Sequence, residues 1–141
     1  MANAQKQKPR ILLADDSKPM LELITDLLRP EFEILGTVAD GRAALDAIAQ
    51  LEPDVVVLDV LMPTMDGIKA ARQLRKANST IKIVFLSNLE NADFVEAAKE
   101  SGGNAYVFKS LMASDLARAI RTAMEEEEFF SSQPRARKQS S

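Results

Sequence analysis

Val55-Val56-Val57-Leu58-Asp59-Val60-Leu61-Met62-Pro63-Thr64-Met65-Asp66-Gly67 carries four apolar, mostly β-branched residues straight into a carboxylate, then into a loop bounded by proline and glycine. A short run that is apolar at every position predicts a strand buried on both faces, as in a parallel sheet covered by helices. Asp59 then stands at the carboxyl end of that strand, where open α/β sheets place their ligands. A carboxylate there either caps a loop or does chemistry. The flanking chain has to decide which.

Upstream, Ile11-Leu12-Leu13-Ala14 predicts a first strand that ends on Asp15-Asp16. Ser17 can cap a helix after it, and Pro19 is tolerated in the first turn, where its missing N–H costs little. Met20, Leu23, Ile24, Leu27 and Leu28 give that helix an apolar stripe, and Pro30 stops it. Phe32 to Val38 reads as a second strand. Asp40-Gly41 opens a second helix with Ala44, Leu45, Ile48 and Leu51 facing inward. Downstream, Ile68, Ala71 and Leu74 mark a third helix that ends near Asn78. Ile81 to Leu86 is a strand ending at Ser87-Asn88. Asn91 caps a short helix bearing Phe94, Ala97 and Ala98, which Gly102-Gly103 terminates. Ala105 to Phe108 is a strand ending at Lys109, and Leu116, Ile120, Ala123 and Met124 stripe a last helix over Met112 to Glu128. Strand and helix thus alternate throughout. That order predicts one parallel sheet with helices on both faces, joined by right-handed crossovers.

The 141 residues suit one domain with a real core. The composition is ordinary, 46% apolar and 28% charged, and the net charge of -3 argues against sequence-independent nucleic-acid binding. Cysteine and histidine are both absent. Their absence excludes disulfides, thiol nucleophiles, Cys/His zinc sites, Ser-His-Asp triads and histidine bases. A metal here must be held by oxygen, which points to a hard cation such as Mg²⁺. Met1 to Pro9 is polar without a signal-peptide core, and no apolar run approaches membrane length. The expected location is the cytoplasm.

Four of these strands end on polar residues: Asp15-Asp16, Asp59, Ser87 and Lys109. In a parallel sheet those ends lie along one edge. Three carboxylates gathered there repel one another unless cations intervene. Mg²⁺ and the Lys109 ammonium would supply the charge, and magnesium leaves positions for water and phosphate oxygens. An aspartate can attack phosphorus to give an acyl phosphate, and it needs no general base because it is already ionised at neutral pH. The equatorial oxygens of the transferring group then need positive charge and donors, which Mg²⁺, Lys109 and the Ser87 hydroxyl would provide. Singly, each residue has a plainer account. Asp15-Asp16 can favour a helix N-terminus, a lysine after a strand is usually solvated, and Asp66-Gly67 can be only a turn. Their conjunction makes the signal.

With these residues in place, the chain resembles the receiver domain of two-component response regulators over about residues 9–125. The Tyr106-Val107-Phe108-Lys109-Ser110 stretch is similar to receivers of the nitrate/nitrite-regulator type. The resemblance implies a flavodoxin-like α/β sandwich, with a five-stranded parallel sheet of order 2-1-3-4-5 and five helices. The domain would occupy 10–128, between a disordered lead-in (1–9) and a disordered tail (129–141). It implies that Asp59 accepts a phosphoryl group from a sensor histidine kinase or phosphotransfer protein. Asp16, Asp59 and the backbone carbonyl of Leu61 would bind Mg²⁺, with Asp15 acting through water. Lys109 would pair with the phosphoryl oxygens. Ser87 and Tyr106 would form a two-state switch, Ser87 moving toward the phosphoryl group and Tyr106 filling the space behind it. Otherwise Tyr106 is an edge-strand aromatic packed on the fourth helix. Such a domain promotes its own phosphorylation and dephosphorylation without being a turnover enzyme, and acts by binding a downstream protein target. Two departures stand out: Asn88 replaces the small residue usual after the hydroxyl, and Ser110 follows Lys109 where most receivers have a cis proline. A cis bond without proline costs about 3–4 kcal/mol, so trans is expected.

Other readings compete. The chain could be the receiver part of a helix-turn-helix transcription factor, with Arg135, Arg137 and Lys138 as linker remnants and the output domain absent. A phosphatase using an aspartyl-phosphate intermediate would want a carboxylate two residues after the nucleophile, where Leu61 stands. Arg118 and Arg121 beside the acidic end of the last helix would suit ion pairs in a homodimer, or simply a solvated face. Neither direct nucleic-acid binding nor membrane attachment is expected of the domain itself.

Overall fold

The computed structural model describes residues 7–131, and strand and helix alternate through it. The order is β1 (Arg10–Ala14), α1 (Lys18–Leu28), β2 (Glu33–Val38), α2 (Gly41–Leu51), β3 (Val55–Leu58), α3 (Gly67–Lys76), β4 (Lys82–Ser87), α4 (Ala92–Glu100), β5 (Ala105–Phe108), α5 (Met112–Met124) and β6 (Phe129–Phe130). A short 3₁₀ turn, Lys109–Leu111, joins β5 to α5. The sheet is parallel, with strand order β2-β1-β3-β4-β5-β6. This is the flavodoxin-like α/β fold with five helices.

Strand periodicity sorts the core into two layers. Ile11, Leu13, Val55, Val57, Val84, Leu86 and Val107 meet Ile24 and Leu28 of α1 and Leu116 and Ile120 of α5. Leu12, Val56, Leu58, Ile83, Phe85 and Tyr106 meet Ala44 of α2, Ala70, Ala71 and Leu74 of α3, and Ala98 of α4. Both faces of β3 are covered, which is why Val55–Leu58 shows no polar alternation.

The helix starts follow their caps. Ser17, Asp40, Asp66 and Asn91 each accept a backbone N–H of the first turn, from Met20, Ala43, Lys69 and Asp93. Some inward assignments shift. Leu21, Ile24 and Leu28 form the buried stripe of α1, and Leu23 is 52% exposed. The first helix is apolar at enough positions that two stripes fit its sequence, and only packing picks one. Phe94, Leu51 and Met124 also face outward.

Two expectations about the C-terminal end are corrected. The last helix stops at Met124, not Glu128, since four successive glutamates oppose the negative end of the helix dipole. The sheet has six strands rather than five, because Phe129–Phe130 pairs parallel with β5 instead of opening the tail. An apolar pair is better buried on the sheet edge than left in water. Residues 1–6 of the expected lead-in and 132–141 of the expected tail lie outside the described residues. Among the described residues no peptide bond is cis, and no helix is long and apolar enough to cross a membrane.

Candidate functional site

Register brings the acids together. Ala14 lies opposite Leu58 across the β1–β3 ladder, so Asp15 and Asp59 leave the sheet side by side. The Asp59 N–H donates to the Ala14 carbonyl (3.0 Å), and the Asp15 N–H donates to the Val38 carbonyl (3.0 Å), extending the ladder to these residues. Asp15 and Asp59 are buried and Asp16 is exposed, yet one carboxylate oxygen from each lies within 4.8 Å of the others. From beyond β5, Lys109 crosses the end of β4 to place its Nζ 2.8 Å from Asp15 Oδ2 and 3.0 Å from Asp59 Oδ2. Its side chain is only 8% exposed.

Buried charge sets the electrostatics. Burial raises the Asp59 pKa above the usual carboxylate value and Asp15 adds to it, while the Lys109 ammonium opposes both. For Lys109, burial works to lower the pKa, but hydrogen bonds to Asp15 and Asp59 outweigh it and leave the ammonium more basic than usual. The second Asp59 oxygen, Oδ1, is buried and has no hydrogen-bond partner among the described residues. An unpaired buried carboxylate oxygen is costly. Asp59 belongs with Asp15 and Asp16 to a cluster of hard oxygen donors, a set that suits a divalent cation such as Mg²⁺. The residues present therefore fit a magnesium ion.

The loop after β3 is tied back onto the site. The Gly67 N–H donates to the Val60 carbonyl (2.8 Å), and the Gly41 N–H of α2 donates to the Met65 carbonyl (2.9 Å). At Gly67 an added Cβ would run into the Asp59 carbonyl itself, and at Gly41 into the Met65 carbonyl. Thr64 adopts left-handed backbone (φ 69) between these anchors. Asp66-Gly67 does cap and start α3, but the glycine is also required by this close approach. Leu61 is 58% exposed, and among the described residues its backbone carbonyl accepts none of the loop's hydrogen bonds.

Ser87 and Tyr106 both bond the backbone of one residue, Leu89, rather than Asp59. The buried Ser87 hydroxyl accepts the Leu89 N–H (3.1 Å), and the Tyr106 hydroxyl donates to the Leu89 carbonyl (2.7 Å). Tyr106 is fully buried, with its ring 6.1 Å from Phe85 and 6.0 Å from Phe108, centroid to centroid. Burial pushes its phenol above the ordinary value, and the neighbouring Ser87 hydroxyl works the other way. Of the edge-strand alternative, the edge position fails because β6 lies outside β5, while the packing of Tyr106 with Ala98 of α4 is present. Ser110 donates from its hydroxyl to Glu90 (2.8 Å). Sequence reasoning missed the role of the Leu89 backbone and the contact of Ser131 with β5. The Phe129-Phe130 pair after a glutamate run was the available signal for the second.

Arg118 and Arg121, suggested for contacts between chains, are engaged within this one. Arg121 makes a forked pair with Glu31 (2.7 and 2.8 Å), and Arg118 pairs with Asp115 (3.3 Å) and lies over the Phe129 ring.

Comparison with known proteins agrees with this geometry. Residues 11–121 match the family described as response regulator receiver domain. The chain is 37% identical over 120 residues to a protein-glutamate methylesterase/protein-glutamine glutaminase of Nocardioides sp., covering 82% of this chain and 33% of that protein. It is 36% identical over 121 residues to the DNA-binding response regulator MtrA of Mycolicibacterium smegmatis, covering 86% of this chain and 53% of MtrA. Among solved structures, the signal receiver domain of the response regulator NarL from Mycobacterium tuberculosis superposes with a TM-score of 0.81 at 25% identity. That match covers 85% of this chain and 98% of the other. The chain thus spans only a third to about half the length of these two curated relatives.

Proposed function

This chain belongs to the response regulator receiver family, and we propose that Asp59 is its phosphoacceptor and that Lys109, Asp15 and Asp16 complete the site. The observation that carries the reading is the buried, unpaired Asp59 Oδ1, set beside two further carboxylates and a buried ammonium. An Asp59 oxygen attacks phosphorus, the bond to the donor's imidazole nitrogen breaks, and the donor keeps the bonding electron pair. Lys109 is already held within 3.0 Å of Asp59 and is positioned to follow the incoming oxygens. Its raised pKa keeps it charged, so it can exchange a carboxylate for a phosphoryl oxygen without losing a proton. Asp15, Asp16, Asp59 and the Leu61 carbonyl would hold Mg²⁺, Asp15 through water. When bound, that ion neutralises the carboxylates and the phosphoryl oxygens.

Ser87 would give up the Leu89 N–H to reach the phosphoryl group. Leu89 would then lose the bond at its N–H and keep the one from the Tyr106 hydroxyl at its carbonyl, so a shift at Ser87 reaches Tyr106 through the Leu89 backbone. The donor is a histidine kinase or phosphotransfer protein, and the output is altered binding of a downstream protein, with no multiple-turnover chemistry. A cytoplasmic setting follows from such a donor. In the full chain, beryllofluoride with Mg²⁺ is expected to change the emission of Tyr106, and Asp59→Asn to abolish the change. An Asn variant that responds like wild type would sink the assignment.

A second reading has its own support: this is the receiver part of a DNA-binding regulator. MtrA is described as DNA-binding, and the chain spans 53% of it. Sequencing the gene past the codon for Ser141 decides between the two, since a helix-turn-helix domain in frame would establish it.

A further inference from the structure

A groove of about 570 Å³ runs between α3 and α4, beside the loop that follows β3. Its floor is apolar, built from Val60, Leu61, Ile68, Phe94 and Ala97. Two of these stand largely in water, Leu61 at 58% and Phe94 at 40% exposure, one from the loop and one from α4. A single exposed leucine needs no explanation. A concave apolar floor with two large exposed side chains marks a contact surface.

The α3 wall of the groove is basic. Lys69, Arg72 and Lys76 lie at i, i+3 and i+7, which sets them in one stripe, and all three are exposed. Among the described residues none of the three enters an ion pair, although α4 exposes Asp93, Glu96 and Glu100 nearby in sequence to Phe94. Elsewhere on the surface Arg42, Lys99, Arg118 and Arg121 each have a carboxylate partner. Asp66 is the only acid among the lining residues, and its Oδ1 accepts the Lys69 N–H (2.8 Å). The chain has 21 acids to 18 bases, so a shortage of acids is not what leaves this stripe unneutralised.

We propose that the α3–α4 groove docks an acidic amphipathic helix of a partner protein. The helix lays apolar anchors against Leu61, Ile68 and Phe94, and its flanking carboxylates meet Lys69, Arg72 and Lys76. The charges steer the encounter and select an acidic partner, while the apolar floor holds it. A bilayer surface does not fill a concave floor, and a nucleic-acid backbone brings no apolar side chain to it. The occupant also touches Val60 and Leu61, the two residues after Asp59. The docking stands on the groove's own chemistry, whatever the role of Asp59.

The test uses the full chain and a fluorescently labelled synthetic peptide of about 15 residues, long enough to form a helix when bound. It carries Leu at i, i+4 and i+7 and Glu at the flanking positions, and a second peptide has Lys in place of Glu. Binding is read by fluorescence anisotropy. Wild type is expected to bind the Glu peptide and not the Lys peptide, with affinity falling as salt is raised. Lys69→Glu combined with Arg72→Glu, and separately Phe94→Ser, should each weaken binding about tenfold. Arg29→Glu, an exposed cation at the end of α1 on the other face of the sheet, should leave it unchanged. All the substituted residues are exposed, and circular dichroism checks that each variant is folded. Should the double variant unfold, Lys76→Glu takes its place. No binding by wild type overturns the proposal, as does a loss in Arg29→Glu equal to that of the stripe variant. Stripe-dependent binding of phosphatidylserine vesicles or of a DNA duplex, with none of the Glu peptide, overturns it as well.

Discussion

Lys109 is the residue on which the acid cluster depends. It neutralises Asp15 and Asp59 from inside the fold, where each side chain is less than one tenth exposed. Removing one member of a buried pair leaves the others uncompensated, so Lys109→Met in metal-free buffer is expected to lose about 3 kcal/mol of unfolding free energy at neutral pH. Without the ammonium, the opposing influence on Asp59 disappears and its native pKa rises further above the unfolded value. The native state then binds more protons than the unfolded state, so stability falls as pH rises through that window. The Lys109→Met deficit, measured by urea unfolding, should therefore shrink toward acid. These residues were legible in the sequence because charged groups directly after apolar strands have few places to go. The unpaired Asp59 Oδ1 was not, since it depends on which oxygen Lys109 takes.

At the scale of elements, three helices end in the same backbone device with three different residues. Asn78, Gly102 and Glu126 all take positive φ, and each is followed by an N–H that reaches back to the last turn. Glycine and asparagine tolerate that conformation, whereas glutamate carries about 1 kcal/mol of strain there. Part of this is offset by the looser unfolded chain that glycine brings. Glu126→Gly is thus expected to raise the unfolding free energy by about 0.5 kcal/mol, visible as a small increase in Tm. At Gly67 the constraint is space. Gly67→Ala drives a methyl into the Asp59 carbonyl and should cost about 1–3 kcal/mol. It should also blunt the beryllofluoride response, because the displaced carbonyl belongs to Asp59, the proposed phosphoacceptor. Helix starts were readable from Ser17, Asp40, Asp66 and Asn91. The last helix end and β6 were not, because a two-residue strand has no period to detect.

For the molecule as a whole, the cluster is expected to make stability depend on a cation. Anything that binds only the native state stabilises it by mass action, and at 100 times its Kd the gain is about 2.7 kcal/mol. Mg²⁺ should raise the unfolding free energy by that order, and Asp16→Asn should remove most of the gain. A titration in which wild type and Asp16→Asn respond equally would contradict this. The sequence by itself determined the alternation of strand and helix, the burial of β3 on both faces, and the meeting of Asp15, Asp59 and Lys109 at one end of the sheet. Those follow from local periodicity and from parallel strands ending along a common edge. Only the tertiary structure decided the outward turn of Leu23 and Phe94, the shared hold of Ser87 and Tyr106 on the Leu89 backbone, and the sixth strand across β5. Each of these is a choice among contacts that local sequence permits equally, and it is settled by which neighbour lies within bonding distance once the sheet has closed.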